Sequence, residues 1–165
     1  MIPIKKEAAP EQSRRPSEAS PLRVLYVEDD AENRLVAQLN LSDRCILSFA
    51  ATDVQACEAI RNNAGSLDAI LMDIELKGSV LDGMKLTQLL RGSLNQMLLP
   101  PYARGLPVLD IPIFYITAFG DTFSMEELER TGANWLVSKP VDFTQLMLAL
   151  TQCHLRKLRE KFSRL

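Results

Sequence analysis

Four short apolar runs in this chain stop abruptly at a polar residue. Val24-Leu25-Tyr26-Val27 ends in Glu28-Asp29-Asp30, Ala69-Ile70-Leu71-Met72 in Asp73, Ile113-Phe114-Tyr115-Ile116 in Thr117, and Trp135-Leu136-Val137 in Ser138-Lys139-Pro140. Unbroken by polar alternation, such runs fit strands buried on both faces of a parallel sheet. A fifth strand fits residues 45–49. Helical patterns fill the gaps. One covers 31–41 and carries Leu35 and Leu39. A second is capped by Thr52 or Asp53, carries Val54, Cys57 and Ile60, and stops at Asn62-Asn63-Ala64-Gly65. A third spans 84–91 and ends at Gly92. Ser124-Met125-Glu126-Glu127 reads as a capping box opening a fourth, and Asp142 with Gln145 opens a last helix running toward the C-terminus. Five strands alternating with five helices predict an α/β fold with a doubly wound parallel sheet and right-handed crossovers.

Composition narrows this picture without changing it. The chain has 165 residues, 47% of them hydrophobic and 24% charged, which suits one globular domain. No apolar run approaches the about 18–20 residues needed to span a bilayer, and Lys5-Lys6 is not followed by the apolar stretch of a secretory signal. Cys45, Cys57 and Cys153 are widely spaced, which suggests reduced thiols and a cytoplasmic location rather than a disulfide framework or zinc site. Residues 1–20, with Pro3, Pro10, Pro16 and several serines, read as a disordered leader. Charge is unevenly placed. Residues 21–153 hold ten basic and seventeen acidic side chains, while 154–165 hold five basic and one acidic. An acidic body argues against direct nucleic-acid binding.

The chemistry gathers where the strands end. In an open parallel sheet, ligands bind outside the carboxyl ends of the strands, so Glu28, Asp29, Asp73, Thr117 and Lys139 are expected along one edge. Singly, each has a bland reading as a turn former, cap or solvated side chain. Four strands ending this way are harder to assign to chance. Crowded carboxylates repel unless a cation lies among them, and an oxygen-only donor set favours a hard ion such as Mg²⁺ or Mn²⁺. A carboxylate beside such an ion can act as a nucleophile on a phosphoryl group, with a hydroxyl and an ammonium binding the phosphoryl oxygens.

These motifs resemble the receiver domain of two-component response regulators. The resemblance rests on Val24-Leu25-Tyr26-Val27-Glu28-Asp29-Asp30, Ile70-Leu71-Met72-Asp73-Ile74, Leu81-Asp82-Gly83-Met84, Ile116-Thr117-Ala118, Gly132-Ala133 and Ser138-Lys139-Pro140, over residues 22–153. It implies a flavodoxin-like sheet of strand order 2-1-3-4-5. It also implies that Asp73 is the phosphoacceptor, that Glu28 and Asp29 form the acid pair with Asp29 as direct metal ligand, and that the Glu75 backbone carbonyl is a further ligand. Thr117 and Lys139 become the switch hydroxyl and the phosphate-binding lysine, and Lys139-Pro140 a cis bond. The implied partners are a sensor histidine kinase or phosphotransfer protein upstream and another protein downstream, in a bacterial, cytoplasmic phosphorelay. The resemblance makes the chain a switch rather than an enzyme in its own right.

Several features depart from that pattern. The segment Lys77-Gly78-Ser79-Val80-Leu81-Asp82-Gly83 lacks the proline that the family carries before its glycine. An excess of chain lies between Asp73 and Thr117, in an insert at 93–110. It supplies none of the site residues and reads as a tolerated surface loop, or, through Met97, Leu98, Leu99, Tyr102 and Leu106, as a partner surface. Either way it is expected to be dispensable for the chemistry but not for signalling. Leu136 stands where the family has Tyr or Phe, so a moving aromatic is expected instead at Phe119. His154 reads as a surface side chain. Residues 154–165 read as a basic helical extension, with Leu155, Leu158, Phe162 and Leu165 offering a possible homodimer seam. Two other functions compete: a receiver-shaped scaffold working without phosphorylation, and a haloacid-dehalogenase-type phosphatase, for which Glu75 would be the second acid.

Overall fold

The structure, a computed structural model, describes residues 20–164. The leader expected over 1–20 therefore falls, Ser20 apart, outside the described residues, as does Leu165. Five strands, β1 (Leu22–Val27), β2 (Cys45–Ala50), β3 (Ala69–Asp73), β4 (Ile113–Thr117) and β5 (Trp135–Ser138), alternate with α1 (Ala31–Leu41), α2 (Asp53–Asn63), α3 (Gly83–Leu90), α4 (Met125–Thr131) and α5 (Phe143–Phe162). The sheet is parallel throughout, in the order β2-β1-β3-β4-β5. This is the flavodoxin-like receiver fold expected from the sequence.

Each central strand feeds two cores by simple alternation. Leu25, Val27, Ile70, Met72, Ile113 and Tyr115 face α2, α3 and α4. Leu22, Val24, Tyr26, Ala69, Leu71, Phe114 and Ile116 face α1 and α5. Burial on both sides explains why these strands read as continuous apolar runs. β5 pairs only with β4 and is an edge strand; its exposed Trp135 lies stacked on Phe114, ring centroids 6.1 Å apart.

The helix caps follow the sequence closely. Asp30, Thr52, Asp82 and Asp142 accept backbone amides at the starts of α1, α2, α3 and α5. Ser124 and Glu127 close a capping box on α4. Because Thr52 is the cap of α2, the neighbouring Asp53 side chain is released to point elsewhere and is buried.

Leu35 and Leu39 do not pack α1 against the sheet: they are 59% and 72% exposed, and Ala37 and Leu41 form the buried stripe. The basic segment after 154 continues the 20-residue α5, whose last contact with the core is the partly buried Cys153.

The 93–110 insert also differs from a plain loop. It contains 3₁₀ turns at Gln96–Leu98 and Pro101–Ala103. Leu99, Ala103, Leu106 and Leu109 enter the core beside α2 and α3, whereas Met97 and Leu98 are each 83% exposed. The segment had apolar residues to spare because half of them complete the domain's own core, at about 1.5–3 kcal/mol for each large side chain buried. Among the described residues, no helix is long and apolar enough to cross a membrane.

Candidate functional site

The site lies at the carboxyl ends of β1, β3, β4 and β5. Parallel pairing brings these ends to one edge: Val27 stands opposite Met72, Asp73 opposite Ile116, and Thr117 opposite Ser138. Glu28, Asp29, Asp73, Glu75, Thr117 and Lys139, scattered over the sequence, all line one open cleft of about 140 Å³.

Lys139 ties the cluster together. Its ammonium donates to Asp73 Oδ2 at 2.7 Å and to Glu28 Oε2 at 2.8 Å. Lys139-Pro140 is a cis bond, and the Lys139 amide donates to the Thr117 carbonyl, which carries the chain from the β5 edge into the cleft. Glu28 is fully buried and held by protein donors: the Tyr26 hydroxyl and Lys139 on Oε2, and the Asp30 amide on Oε1. Asp29 is half-buried and, among the described residues, accepts one long bond, 3.3 Å, from the Lys77 amide. Asp73 Oδ1 accepts the Glu75 amide at 3.0 Å. Thr117 Oγ1 accepts the Phe119 amide at 3.1 Å, which leaves its own proton for an anion in the cleft.

The electrostatics separate the two buried acids. Burial opposes charge on Glu28, but Lys139, the Asp30 amide and the Tyr26 hydroxyl outweigh it, holding this carboxyl below the usual range. Asp73 goes the other way. Burial, reinforced by the negative charge of Glu28, pushes it up to about 6 against the pull of Lys139. The same two carboxylates raise Lys139 despite its partial burial. One ammonium thus serves two of the three acids, and its single positive charge leaves the cleft with negative charge in excess.

The donor set fits a hard divalent cation. Carboxylate oxygens of Glu28, Asp29 and Asp73 all lie within 4.8 Å of one another, with no softer donor among them. Burial first, and then the charge of Glu28, keep Asp73 raised, and a cation among these carboxylates would oppose both effects. The Glu75 side chain is exposed, and the residue meets Asp73 through its backbone amide.

Sequence reasoning missed several supports. Arg34 donates to the carbonyls of Glu28 and Asp29, fixing the turn that carries both acids. Gly83 must lack a side chain because a Cβ there would collide with the Asp73 carbonyl; its place in the Leu81-Asp82-Gly83-Met84 motif was the only signal. Asp53 and Tyr102, which brace the loop after β3, gave no signal beyond their positions.

Residues 24–151 match the Response regulator receiver domain family, and the chain belongs to that family: it is a receiver domain of two-component signalling, a regulatory module. The two-component response regulator ORR41 of Oryza sativa subsp. japonica is 30% identical over 122 residues, covering 72% of this chain and 93% of that protein. Among solved structures, NtrX from Brucella abortus is similar with a TM-score of 0.68 at 23% identity, over 87% of this chain but 29% of NtrX. The Francisella response regulator 1452 receiver domain gives 0.65 at 19% identity, over 82% of this chain and 98% of that one. The receiver domain of sensor histidine kinase PA1611 from Pseudomonas aeruginosa PAO1, with a magnesium ion coordinated in its active-site cleft, gives 0.63 at 26% identity, over 82% of this chain and 98% of that one.

Proposed function

We propose that this receiver domain accepts a phosphoryl group on Asp73 from a phosphohistidine and transmits the event through protein contacts or onward transfer in a phosphorelay. The observation that carries the reading is the Lys139 ammonium held between Asp73 and Glu28, with Thr117 across the same cleft.

The Asp73 carboxylate attacks phosphorus. An O–P bond forms, the donor's N–P bond breaks, and its electron pair leaves on the imidazole nitrogen, which takes up a proton. Developing negative charge on the phosphoryl oxygens meets Lys139, swinging from the two carboxylates it now holds, and the Thr117 hydroxyl. Asp29, Asp73 and the Glu75 carbonyl, with Glu28 behind them, would hold Mg²⁺ or Mn²⁺, which when bound neutralises phosphoryl charge. The upstream partner is a sensor histidine kinase or phosphotransfer protein, and the downstream partner another protein.

Incubation with Mg²⁺ and acetyl phosphate, followed by intact-mass measurement and peptide mapping, tests this. A single phosphate adduct at Asp73, lost in Asp73→Asn, is expected. A phosphate mapped to Ser, Thr or His overturns the assignment. Sustained turnover of varied phosphomonoesters identifies a phosphatase, and no adduct from any donor identifies a phosphorylation-independent scaffold.

A further inference from the structure

Two of the departures from the family pattern, a loop without its proline and a long insert, meet at one buried carboxylate. Asp53 is 2% exposed. Its Oδ2 accepts the amides of Val80 and Leu81 at 3.1 and 2.9 Å and the Tyr102 hydroxyl at 2.5 Å. Its own amide donates to Ser79 Oγ. Val80 and Leu81 belong to the loop 74–82, between β3 and α3. That loop begins with the Glu75 amide on Asp73 and the Lys77 amide on Asp29. Gly78 lies in its middle at φ +76°, and it has no proline to limit its conformations. Asp53 supplies the missing restraint from outside.

Tyr102 reaches that carboxylate from the insert, and the insert is held in turn. Arg61 of α2 donates to the Tyr102 carbonyl at 2.8 Å, and the flanking Leu99 and Ala103 are buried. Both ends of α2 thus grip the turn that presents the ring. The insert supplies no residue to the cleft, yet its tyrosine bonds the same oxygen that fixes the loop carrying Glu75 and Lys77.

We propose that Tyr102 is a positioning residue for the Asp73 site: through Asp53 it fixes loop 74–82 and with it the Glu75 carbonyl offered to the divalent cation. The proposal runs against the expectation that the insert is dispensable for the chemistry, and it rests on the proposed function only for the phosphorylation readout.

The test compares the full chain with Tyr102→Phe, which keeps the ring and its packing and removes one hydroxyl. Hydrogen exchange, Mg²⁺ titration and acetyl phosphate labelling are read together. The expected result is about tenfold faster exchange at the Val80 and Leu81 amides, the scale set by one hydrogen bond to a charged acceptor. The Phe119 amide, across the cleft, should be unchanged. The apparent Mg²⁺ dissociation constant should rise by a factor of about three to ten, with labelling at saturating Mg²⁺ largely restored. Unchanged exchange at Val80 and Leu81, or equal acceleration at Phe119, overturns the proposal, because the hydroxyl is then inert or merely supports global stability. Unchanged Mg²⁺ affinity also overturns it. If the wild-type chain takes no phosphoryl group, the proposed function fails, while exchange and Mg²⁺ affinity still decide the role of Tyr102.

Discussion

Lys139 and Glu28 are 111 positions apart in sequence and joined by a 2.8 Å hydrogen bond in the fold. Glu28 is the most deeply buried acid of the cleft, and Lys139 is the cation that pairs with its carboxylate. The pair closes the sheet edge across β1 and β5, and Asp73 lies on the same ammonium. The site is therefore an electrostatic knot that must loosen whenever Lys139 turns to a phosphoryl group.

Removing the lysine should expose that dependence. Lys139→Ala leaves two buried carboxylates facing each other, and a loss of about 3 kcal/mol is expected, the lower end for breaking a buried pair. Asp73→Asn in the same background removes the repulsion, so the double variant should lose markedly less than the sum of the single losses. Mg²⁺ should stabilise Lys139→Ala more than wild type, by supplying the missing positive charge. Urea denaturation of the four proteins with and without Mg²⁺ measures this. Strict additivity would show that the three side chains are not coupled.

The raised Asp73 carboxyl sets a pH dependence whose sign is opposite to that of most paired acids. Its value rises from 3.8 to about 6 on folding, so in this interval the native state binds more protons than the unfolded chain. This group's contribution to stability is present below the unfolded value and is lost as pH rises through about 6. The chemistry runs the other way, because only the anion attacks phosphorus. Adduct formation at low Mg²⁺ should climb as pH rises through about 6, and saturating Mg²⁺ should shift that midpoint downward. A rate independent of pH between 5 and 7, measured by intact mass at limiting Mg²⁺, would sink the assignment.

The response to phosphorylation should run through Phe119 rather than through β5. Phe119 is 52% exposed, its amide sits on Thr117 Oγ1, and Gly120 follows it. Leu136 is half-buried and packs against the α2–α3–α4 core without a polar tip. A phosphoryl group that draws on the Thr117 hydroxyl therefore perturbs Phe119 directly, and the shift can be no larger than the difference in its interactions with the two states. With Mg²⁺ and beryllium fluoride, Trp135 fluorescence should change in wild type and Leu136→Ala but be blunted in Phe119→Ala and Thr117→Ala. Loss of the response in Leu136→Ala alone would restore the fifth-strand route.

Most of the sheet was legible because two-sided burial writes itself as unbroken apolar runs, as in Ile113-Phe114-Tyr115-Ile116. The caps were legible because Ser124-Glu127 and Asp142-Gln145 have fixed spacings. The cleft residues were legible because parallel strands bring their carboxyl ends to one edge. Other features had no local signature. The buried face of α1 is built from Ala37 and Leu41 rather than from the larger Leu35 and Leu39, because position and not size decides which side chains turn inward. Asp53 looked like an alternative cap to Thr52, and which of the two caps was decided by contacts 27 and 28 positions away, at Val80 and Leu81. The insert's apolar residues looked like a surface because nothing in 93–110 announces which side chains turn inward.

At the root of the insert, Arg91 spans the gap between departure and return. Its guanidinium, at the end of α3, donates to the carbonyls of Leu109 and Ile111 on the returning chain, and to Gly132 and Asn134 beyond α4. The Leu109 amide meets the Leu90 carbonyl at 2.8 Å beside it. Departure and return are thus stapled together before β4 begins, so the strand's register is indifferent to how much chain has been looped out. The excursion behaves as a cassette with its own lock: residues could be added or removed at the exposed Met97-Leu98 tip while Ile113 still finds Ile70. A fold so arranged can acquire new surface at that tip without renegotiating the sheet that carries the chemistry.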